Sequence, residues 1–333
     1  MKYLYVILGL AIAAALSLGV GGDRVTLSTV FDYFAGKPVG DEAEYVEMVI
    51  HSIRIPRTLG AIVVGICFGL AGAILQTVTR NRLAETDLLG INGGAALGVV
   101  LGLSYFGTES VNSYMVWSFG GAMAGTALVV AIAGRGGISI PPLRLVLTGL
   151  AIASTVQGIL GYILISHQSS LDQYRFWVLG SLAGISMQGI LAALPGIGTA
   201  ILITVIITRS LGALRLGEDV ARGLGHHPAV TRFAAITAVT LLTGSAIALT
   251  GPVVLLGLIA PYGARHLVKS SMSAFFMVSA LMGAAVLLLA DSISRVVVQP
   301  YESPVSVVVV LIGAPLLIHI ARSPKQLSSL NNG

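Results

Sequence analysis

The amino-acid sequence predicts an all-α integral membrane protein with about ten transmembrane helices and both termini in the cytoplasm. Only 10% of the 333 residues are charged and 55% are hydrophobic, whereas soluble domains carry about 25% charged residues. Apolar runs close to the roughly 20 residues that cross a bilayer recur along the whole chain. No long polar linker separates these runs, so we expect residues 1–333 to form a single transmembrane domain.

Ten apolar segments are candidate spans, and two of them, the third and the eighth, are short. In chain order they are 3–20, 58–78, 91–103, 115–133, 145–165, 189–208, 233–249, 253–267, 274–290 and 305–320. A short segment can be partly re-entrant, which is tolerated only where protein covers its backbone. The 41 glycines fit this architecture because small residues let helices approach closely in lipid.

The first segment also has features of a secretory signal, because Lys2 precedes its apolar run. Its small residues Ala13, Ala14 and Ala15 lie inside the run, and no clear small-residue cleavage site follows. We therefore predict that the first segment is retained as a span.

The basic residues predict the orientation of the chain. With Met1 inside and ten spans, 13 of the 19 Lys and Arg residues fall on the cytoplasmic side. They are Lys2, Arg80, Arg82, Arg135, Arg144, Arg209, Arg215, Arg222, Arg232, Arg265, Lys269, Arg322 and Lys325. This bias satisfies the positive-inside rule. The net charge of +5 is thus a topology signal, and no basic cluster interleaved with aromatics indicates a nucleic-acid partner.

Three of the outside arginines are placed at the mouths of predicted spans. Arg54 and Arg57 precede the second span, and Arg295 lies between the ninth and the tenth. One interpretation is anchoring to lipid headgroups. Another is docking of an acidic partner, because guanidinium groups bind carboxylates in bidentate fashion. Asp291, four residues before Arg295, is also spaced for an ion pair on a helix, which would be a structural role.

Several classes of chemistry find no support in the sequence. No acidic residue lies well inside a predicted span, which argues against an ion-coupled secondary transporter. There is no P-loop, HExxH motif or metal-ligand spacing. We expect no catalytic residue, no metal site and no cofactor in this chain. If ATP drives its function, another polypeptide must carry out the hydrolysis.

The longest inside connection, about 209–232, contains the pattern of a short helix. Glu218 and Asp219 suit its first turn and Arg222 its last turn, given the helix dipole. The glycines that suit its end are Gly223 and Gly225. The residues alone allow either a well-capped connector or a lever that docks onto a cytoplasmic protein.

A series of short motifs runs in order along nearly the whole chain. They are RIPRTL at 54–59, GLAGAILQ at 69–76, Arg80-Asn81 with Leu83-Ala84, LLGINGGA at 88–95, LTG at 147–149, Trp177 with GSL at 180–182, LGE at 216–218, GLG at 223–225, GP at 251–252, GL at 257–258, AD at 290–291 and IGAP at 312–315. The ordered set resembles the FecCD-type permease subunit. That family provides the membrane component of ABC importers for ferric siderophores, haem and cobalamin.

The resemblance implies an assembly around this chain. It implies two permease subunits, identical or related, that enclose a central path, with ATPase subunits that bind ATP and magnesium and an external substrate-binding protein. Arg54, Arg57 and Arg295 would meet acidic residues of the binding protein. The residues that it implies for coupling to the ATPase are Leu216, Gly217, Glu218, Asp219, Ala221, Arg222, Leu224 and Gly225.

The resemblance also suggests a path and a substrate. The fifth and tenth spans would line the path, with Asn92, Thr148 and Trp177 as candidate path or gate residues. Trp177 equally suits an interfacial anchor. The run DQYRFW at 172–177 resembles the siderophore branch, so a ferric siderophore is favoured over haem or cobalamin. We expect a bacterial inner-membrane protein, and the alternatives are a secondary transporter or channel that acts alone, or a membrane scaffold.

Overall fold

The computed structural model describes residues 2–21, 25–36, 43–107, 110–136, 142–268, 271–297 and 302–322, and these ranges are helical with short connections. The α-helices are α1 Lys2–Gly19, α2 Leu27–Phe34, α3 Ala43–Met48, α4 Ile55–Thr79, α5 Ile91–Tyr105, α6 Val111–Ala133, α7 Pro142–Ser166, α8 Gln168–Val178, α9 Met187–Leu216, α10 Glu218–Gly223, α11 Pro228–Thr250, α12 Leu256–Leu267, α13 Met272–Val297 and α14 Val305–Arg322. The predicted all-α class is confirmed. Each predicted apolar segment coincides with a helix: α1, α4, α5, α6, α7, α9, α11, α12, α13 and α14, in order.

Length and composition separate these helices into groups. Within the described ranges, six helical stretches are long and apolar enough to cross a membrane: Ala43–Thr79, Ser113–Ala133, Leu143–Ser166, Met187–Leu216, Pro228–Thr250 and Met272–Val297. Helices α1, α5 and α14 contain shorter apolar stretches. With 12 residues, α12 is about 18 Å long and cannot cross the roughly 30 Å hydrocarbon layer alone.

Helix α4 is the centre of the bundle and packs against α9, α11, α12 and α13. Glycines allow this close packing. A Cβ atom at Gly65 would overlap the backbone of α13 at Ala284, and one at Gly72 would overlap the backbone of α12 at Gly257. Without a strong hydrophobic force between helices in lipid, such close van der Waals contact stabilises the bundle.

The helical conformation is interrupted between α11 and α12. Gly251 ends α11 with a φ of +74°, and Leu255 precedes α12 with a φ of +67°, a left-handed conformation that is rare for a non-glycine residue. Because Gly257 contacts Gly72, which lies about two-thirds of the way along α4, the N-terminus of α12 lies deep within the bundle. Helix α12 is therefore a half-length helix with a buried start.

Candidate functional site

The three outer arginines lie together at one end of the bundle. Arg54 is buried beside the C-terminal end of α1 and donates hydrogen bonds to the backbone oxygens of Leu18 at 2.7 Å and Val25 at 2.6 Å. The last carbonyl groups of a helix lack partners within the helix, and a cation there also interacts favourably with the helix dipole. Arg54 thus fixes the end of α1 against α4.

Arg57 and Arg295 share one buried carboxylate. Arg57 Nε lies 3.0 Å from Asp291 Oδ1, and Arg295 Nε lies 3.0 Å from Asp291 Oδ2. The Asp291 side chain has no solvent exposure. The ion pair between Asp291 and Arg295, predicted from their spacing, is confirmed.

Two further contacts complete this network. The Nη1 atom of Arg57 lies 2.7 Å from Glu302 Oε2, and the Glu302 side chain is 41% exposed. Arg295 Nη1 donates to the backbone oxygen of Ser17 at 2.8 Å. The two arginines and two carboxylates balance in charge, which offsets part of the cost of burying ionised groups. Through these contacts the guanidinium groups of Arg57 and Arg295 connect α1, α4 and α13 with Glu302, which precedes α14.

The three arginines that were predicted to dock a binding protein are buried. Arg54, Arg57 and Arg295 are each at most 5% exposed, and Glu302 is the exposed charged group beside them. Within a single chain the arginines therefore organise helix ends and lie beneath the outer surface. Their contact with a binding protein stays a prediction.

The opposite end of the bundle carries the predicted short helix. Helix α10 has Glu218 and Asp219 in its first turn and Arg222 in its last turn, which confirms the predicted pattern. Gly217 precedes it with a φ of +136° and Gly225 follows with a φ of +80°, conformations that glycine adopts without strain.

Helix α10 is held to the bundle through one face. Ala221 is buried, and Glu218 forms an ion pair with the buried Arg232 on α11. Three exposed apolar side chains lie on and next to α10 and are called the apolar stripe. Leu216 ends α9, Val220 lies within α10 and Leu224 follows it, and their side chains are 70%, 45% and 61% exposed. Val220 was missing from the sequence-based candidates, because its exposure depends on how α10 packs against the bundle.

The candidate path residues lie along the wall formed by α5, α7 and α8. Asn92 is half-buried in the first turn of α5, and its Oδ1 atom is buried without a hydrogen-bond partner among the described residues. Thr148 is half-buried on α7. Trp177 packs further along this wall with Tyr174, against an apolar cluster from α5 and α7. No sequence pattern predicts that the side-chain oxygen of Asn92 lacks a partner among the described residues.

A second polar network, absent from the sequence-based candidates, holds the half-length helix α12. Glu85 Oε1 accepts a hydrogen bond from the backbone N–H of Leu255 at 2.6 Å. Gln76 Nε2 donates to the backbone oxygen of Gly257 at 3.3 Å, and Gln76 Oε1 accepts from Arg265 at 3.0 Å. Burial is the main cause that raises the pKa of Glu85, followed by the opposing effect of the Leu255 N–H and repulsion from Asp87.

Comparisons with known proteins agree with this architecture. The profile of the FecCD transport family matches residues 9–323. The ferric enterobactin transport system permease protein FepD of Escherichia coli (strain K12) is 38% identical over 94% of this chain and 92% of its own. The iron(3+)-hydroxamate import system permease protein FhuB of Bacillus subtilis (strain 168) is 33% identical over 95% of this chain and 82% of its own.

A solved structure has a fold similar to that of this chain. It is described as a metal-chelate type ABC transporter in an inward-facing conformation, and it matches with a TM-score of 0.83 and 28% identity over 94% of this chain and 96% of that chain. The apolar helices and these relatives define a multi-pass membrane permease. The chain belongs to the FecCD transport family.

Proposed function

We propose that this chain is the membrane-spanning permease subunit of an ABC importer that translocates a ferric siderophore. In this proposal residues 1–333 form one transmembrane domain with ten spans, and both termini are cytoplasmic. The protein lies in the bacterial inner membrane and pairs with a second permease, identical or related. Separate ATPase subunits bind ATP and magnesium, so this chain performs no bond chemistry.

The observation that carries the proposal is the exposed apolar stripe on and next to α10. Exposed apolar side chains on a short helix outside the main bundle are typical of a protein contact. The stripe is presented rigidly, because Glu218 and Ala221 fix the opposite face of the helix. Leu216, Gly217, Glu218, Asp219, Ala221, Arg222, Leu224 and Gly225 thus form a coupling segment for the ATPase, within a loop at about 209–232.

At the other end, the arginine cluster is proposed to support docking of a substrate-binding protein. Glu302 already occupies the Nη1 edge of Arg57 and is partly exposed. An incoming carboxylate from the binding protein would reach that edge by displacing Glu302. Arg54 and Arg295 would shape the docking surface by fixing the helix ends beneath it.

The substrate assignment rests on the relatives and on the path wall. Relatives with 29–38% identity are named as permeases for ferric enterobactin, iron(3+)-hydroxamate and Fe(3+)-citrate, or for iron uptake. Asn92, Thr148 and Trp177 would line or gate the path. Haem and cobalamin are the competing substrates.

The first experiment is purification of the tagged chain in mild detergent after crosslinking in intact cells. We expect an ATPase that carries a P-loop to copurify. The double variant Val220→Ser/Leu224→Ser should lose the ATPase while the permease still inserts into the membrane, because the stripe lies on the surface. Val116→Ser is a matched control, since Val116 is a 72% exposed apolar residue on α6. Recovery of the wild-type chain alone would favour a secondary transporter or channel.

Docking is tested with Glu302→Gln, which keeps the shape of the side chain and removes its negative charge. Removal of this competing carboxylate should tighten binding of the substrate-binding protein to the reconstituted importer, measured by surface plasmon resonance. Unchanged or weaker binding would contradict a role for the Arg57 edge in docking. Replacing the buried arginines would be a poorer test, because it also breaks the network that holds the helices.

A further inference from the structure

A cleft of about 700 Å³ opens on the side of the bundle between α4, α9 and α13. Its lining is largely apolar, with Ile201, Val205 and Ile206 on α9 facing Phe276 and Met277 on α13. Several of these side chains are exposed, so the cleft opens away from the bundle interior. It is separate from the wall that carries Asn92, Thr148 and Trp177.

The position of Arg209 along α9 indicates how deep in the membrane the cleft lies. Arg209, at one end of the lining, lies 22 residues after Met187, the first residue of α9. This separation is about 33 Å along a helix, close to the roughly 30 Å thickness of the hydrocarbon layer. Ser273, also in the lining, lies in the first turn of α13. Arg209 and Ser273 are therefore at headgroup level, on the side of the membrane that carries α10.

The depth of the cleft fits one leaflet. From Arg209 the lining extends along α9 to Ile201, a distance of about 12 Å. Half of the hydrocarbon layer is about 15 Å thick. An acyl chain whose headgroup lies beside Arg209 would thus run along the whole cleft.

Among the residues that line the cleft, Arg209 is the one that carries a charge. Thr204 Oγ1 donates to the backbone oxygen of Ala200 at 2.7 Å, and Thr208 Oγ1 donates to that of Thr204 at 2.6 Å, so both hydroxyl donors are used within α9. Arg209 is exposed and forms no hydrogen bond or ion pair with the residues that the structure describes. The lining contains no acidic residue.

From this combination we infer that the cleft between α4, α9 and α13 binds an anionic phospholipid, with its phosphate on Arg209 and one acyl chain along α9. An arginine is suited to phosphate because its planar guanidinium donates two parallel hydrogen bonds. Basic pockets between transmembrane helices are a general mode of lipid headgroup recognition. The inference needs only the membrane location of the chain and does not depend on the importer assignment. A polar metal chelate would leave its polar groups unpaired against this apolar lining.

The inference has a structural consequence for α10. Helix α9 continues without a break from the cleft to Leu216, where the apolar stripe begins. Arg209 and Leu216 are seven residues apart, about 10 Å along the helix. A lipid in the cleft would therefore restrain the part of α9 from which α10 projects.

The test is native mass spectrometry of the delipidated full-length chain, titrated with dioleoyl phosphatidylglycerol or dioleoyl phosphatidylcholine. We expect the wild type to bind the anionic lipid about five-fold more tightly than the zwitterionic one, as one basic residue near the headgroups predicts. Arg209→Gln should abolish this preference. Arg144→Gln is the matched control, because Arg144 is an exposed arginine in the first turn of α7 and does not line the cleft, and it should retain the preference.

A second variant tests the acyl-chain part of the inference. Ile206→Trp adds bulk to the exposed cleft wall and should weaken binding of both lipids. Equal binding of the two lipids to the wild type would overturn the inference. A preference that persists in Arg209→Gln, or is lost equally in Arg144→Gln, would overturn it as well.

Discussion

Asp291 connects two arginines at one end of the bundle. It is fully buried and accepts hydrogen bonds from two arginines that come from different helices. The spacing of four residues to Arg295 was visible in the sequence. The contact with Arg57, 234 residues away, was not, because no local pattern reports which distant helix ends meet.

Replacement of Asp291 by Asn should strongly destabilise the protein. The change leaves Arg57 with Glu302 alone and removes the only carboxylate bonded to Arg295 among the described residues. Removal of one partner from a buried ion pair costs about 3–5 kcal/mol. Thermal unfolding in detergent should show a clearly lower midpoint. Asp172→Asn is the control, because its ion pair with Arg175 is exposed and contributes at most about 1 kcal/mol. Equal midpoints for the two variants would contradict the structural role of Asp291.

Glu85 should make the stability of the protein depend on pH. Burial raises its folded-state pKa above the ordinary value of 4.5, so the folded state binds its proton more tightly than the unfolded state. The stability linked to this proton is present below pH 4.5 and is lost as the pH rises through the folded pKa. Glu85→Gln keeps an acceptor for the Leu255 N–H and removes the titration.

The measurement is the unfolding midpoint of both proteins between pH 4 and 8. The unfolding midpoint of Glu85→Gln relative to that of the wild type should rise with increasing pH and then level off. A difference that stays constant across this range would contradict the raised pKa. Comparison with the matched variant cancels the titrating groups that do not interact with Glu85.

At the scale of elements, the sequence predicted which segments form the long helices, but it did not predict where those helices end. The segment predicted at 189–208 is the 30-residue helix α9, because its last turns continue past the membrane boundary to Leu216. The short helices α2, α3 and α8 lie outside the predicted spans. They are too short to give an apolar run, and their position depends on packing against neighbouring helices.

The packing of α5 against α6 depends on glycines at their crossing. A Cβ atom at Gly121 would overlap the backbone of Gly94, and one at Gly94 would overlap the backbone of Gly121. Gly121→Val should therefore force the two helices apart and lower the thermal midpoint. Gly120→Val is the control, because a Cβ atom there meets nothing within 4 Å. Equal midpoints would contradict this close contact.

At the scale of the whole molecule, the sequence identified the membrane class and the order of the helices, because both follow from apolar runs. The two ends of the bundle, which carry the arginine network and α10, were only partly predictable from the sequence. Helix α10 could be recognised from local charges and glycines, since its capping uses neighbouring residues. The burial of Arg57 beside Asp291 and Glu302 and the Glu85 and Gln76 contacts at α12 depend on residues 170 to 245 positions apart, which spacing cannot reveal.

The orientation predicted from the distribution of basic residues can be measured directly. Cys67 is the only cysteine and is buried, so Cys67→Ser provides a background without accessible thiols. On that background, Asp219→Cys tests α10, where the side chain is 99% exposed, and Asp172→Cys tests α8, where it is 66% exposed. The positive-inside rule places α10 in the cytoplasm and α8 outside. A membrane-impermeant maleimide should therefore label Asp172→Cys in right-side-out vesicles and label Asp219→Cys only after permeabilisation. The reverse pattern would place α10 on the outside, where a cytoplasmic ATPase has no access, and would contradict both the predicted topology and the proposed coupling.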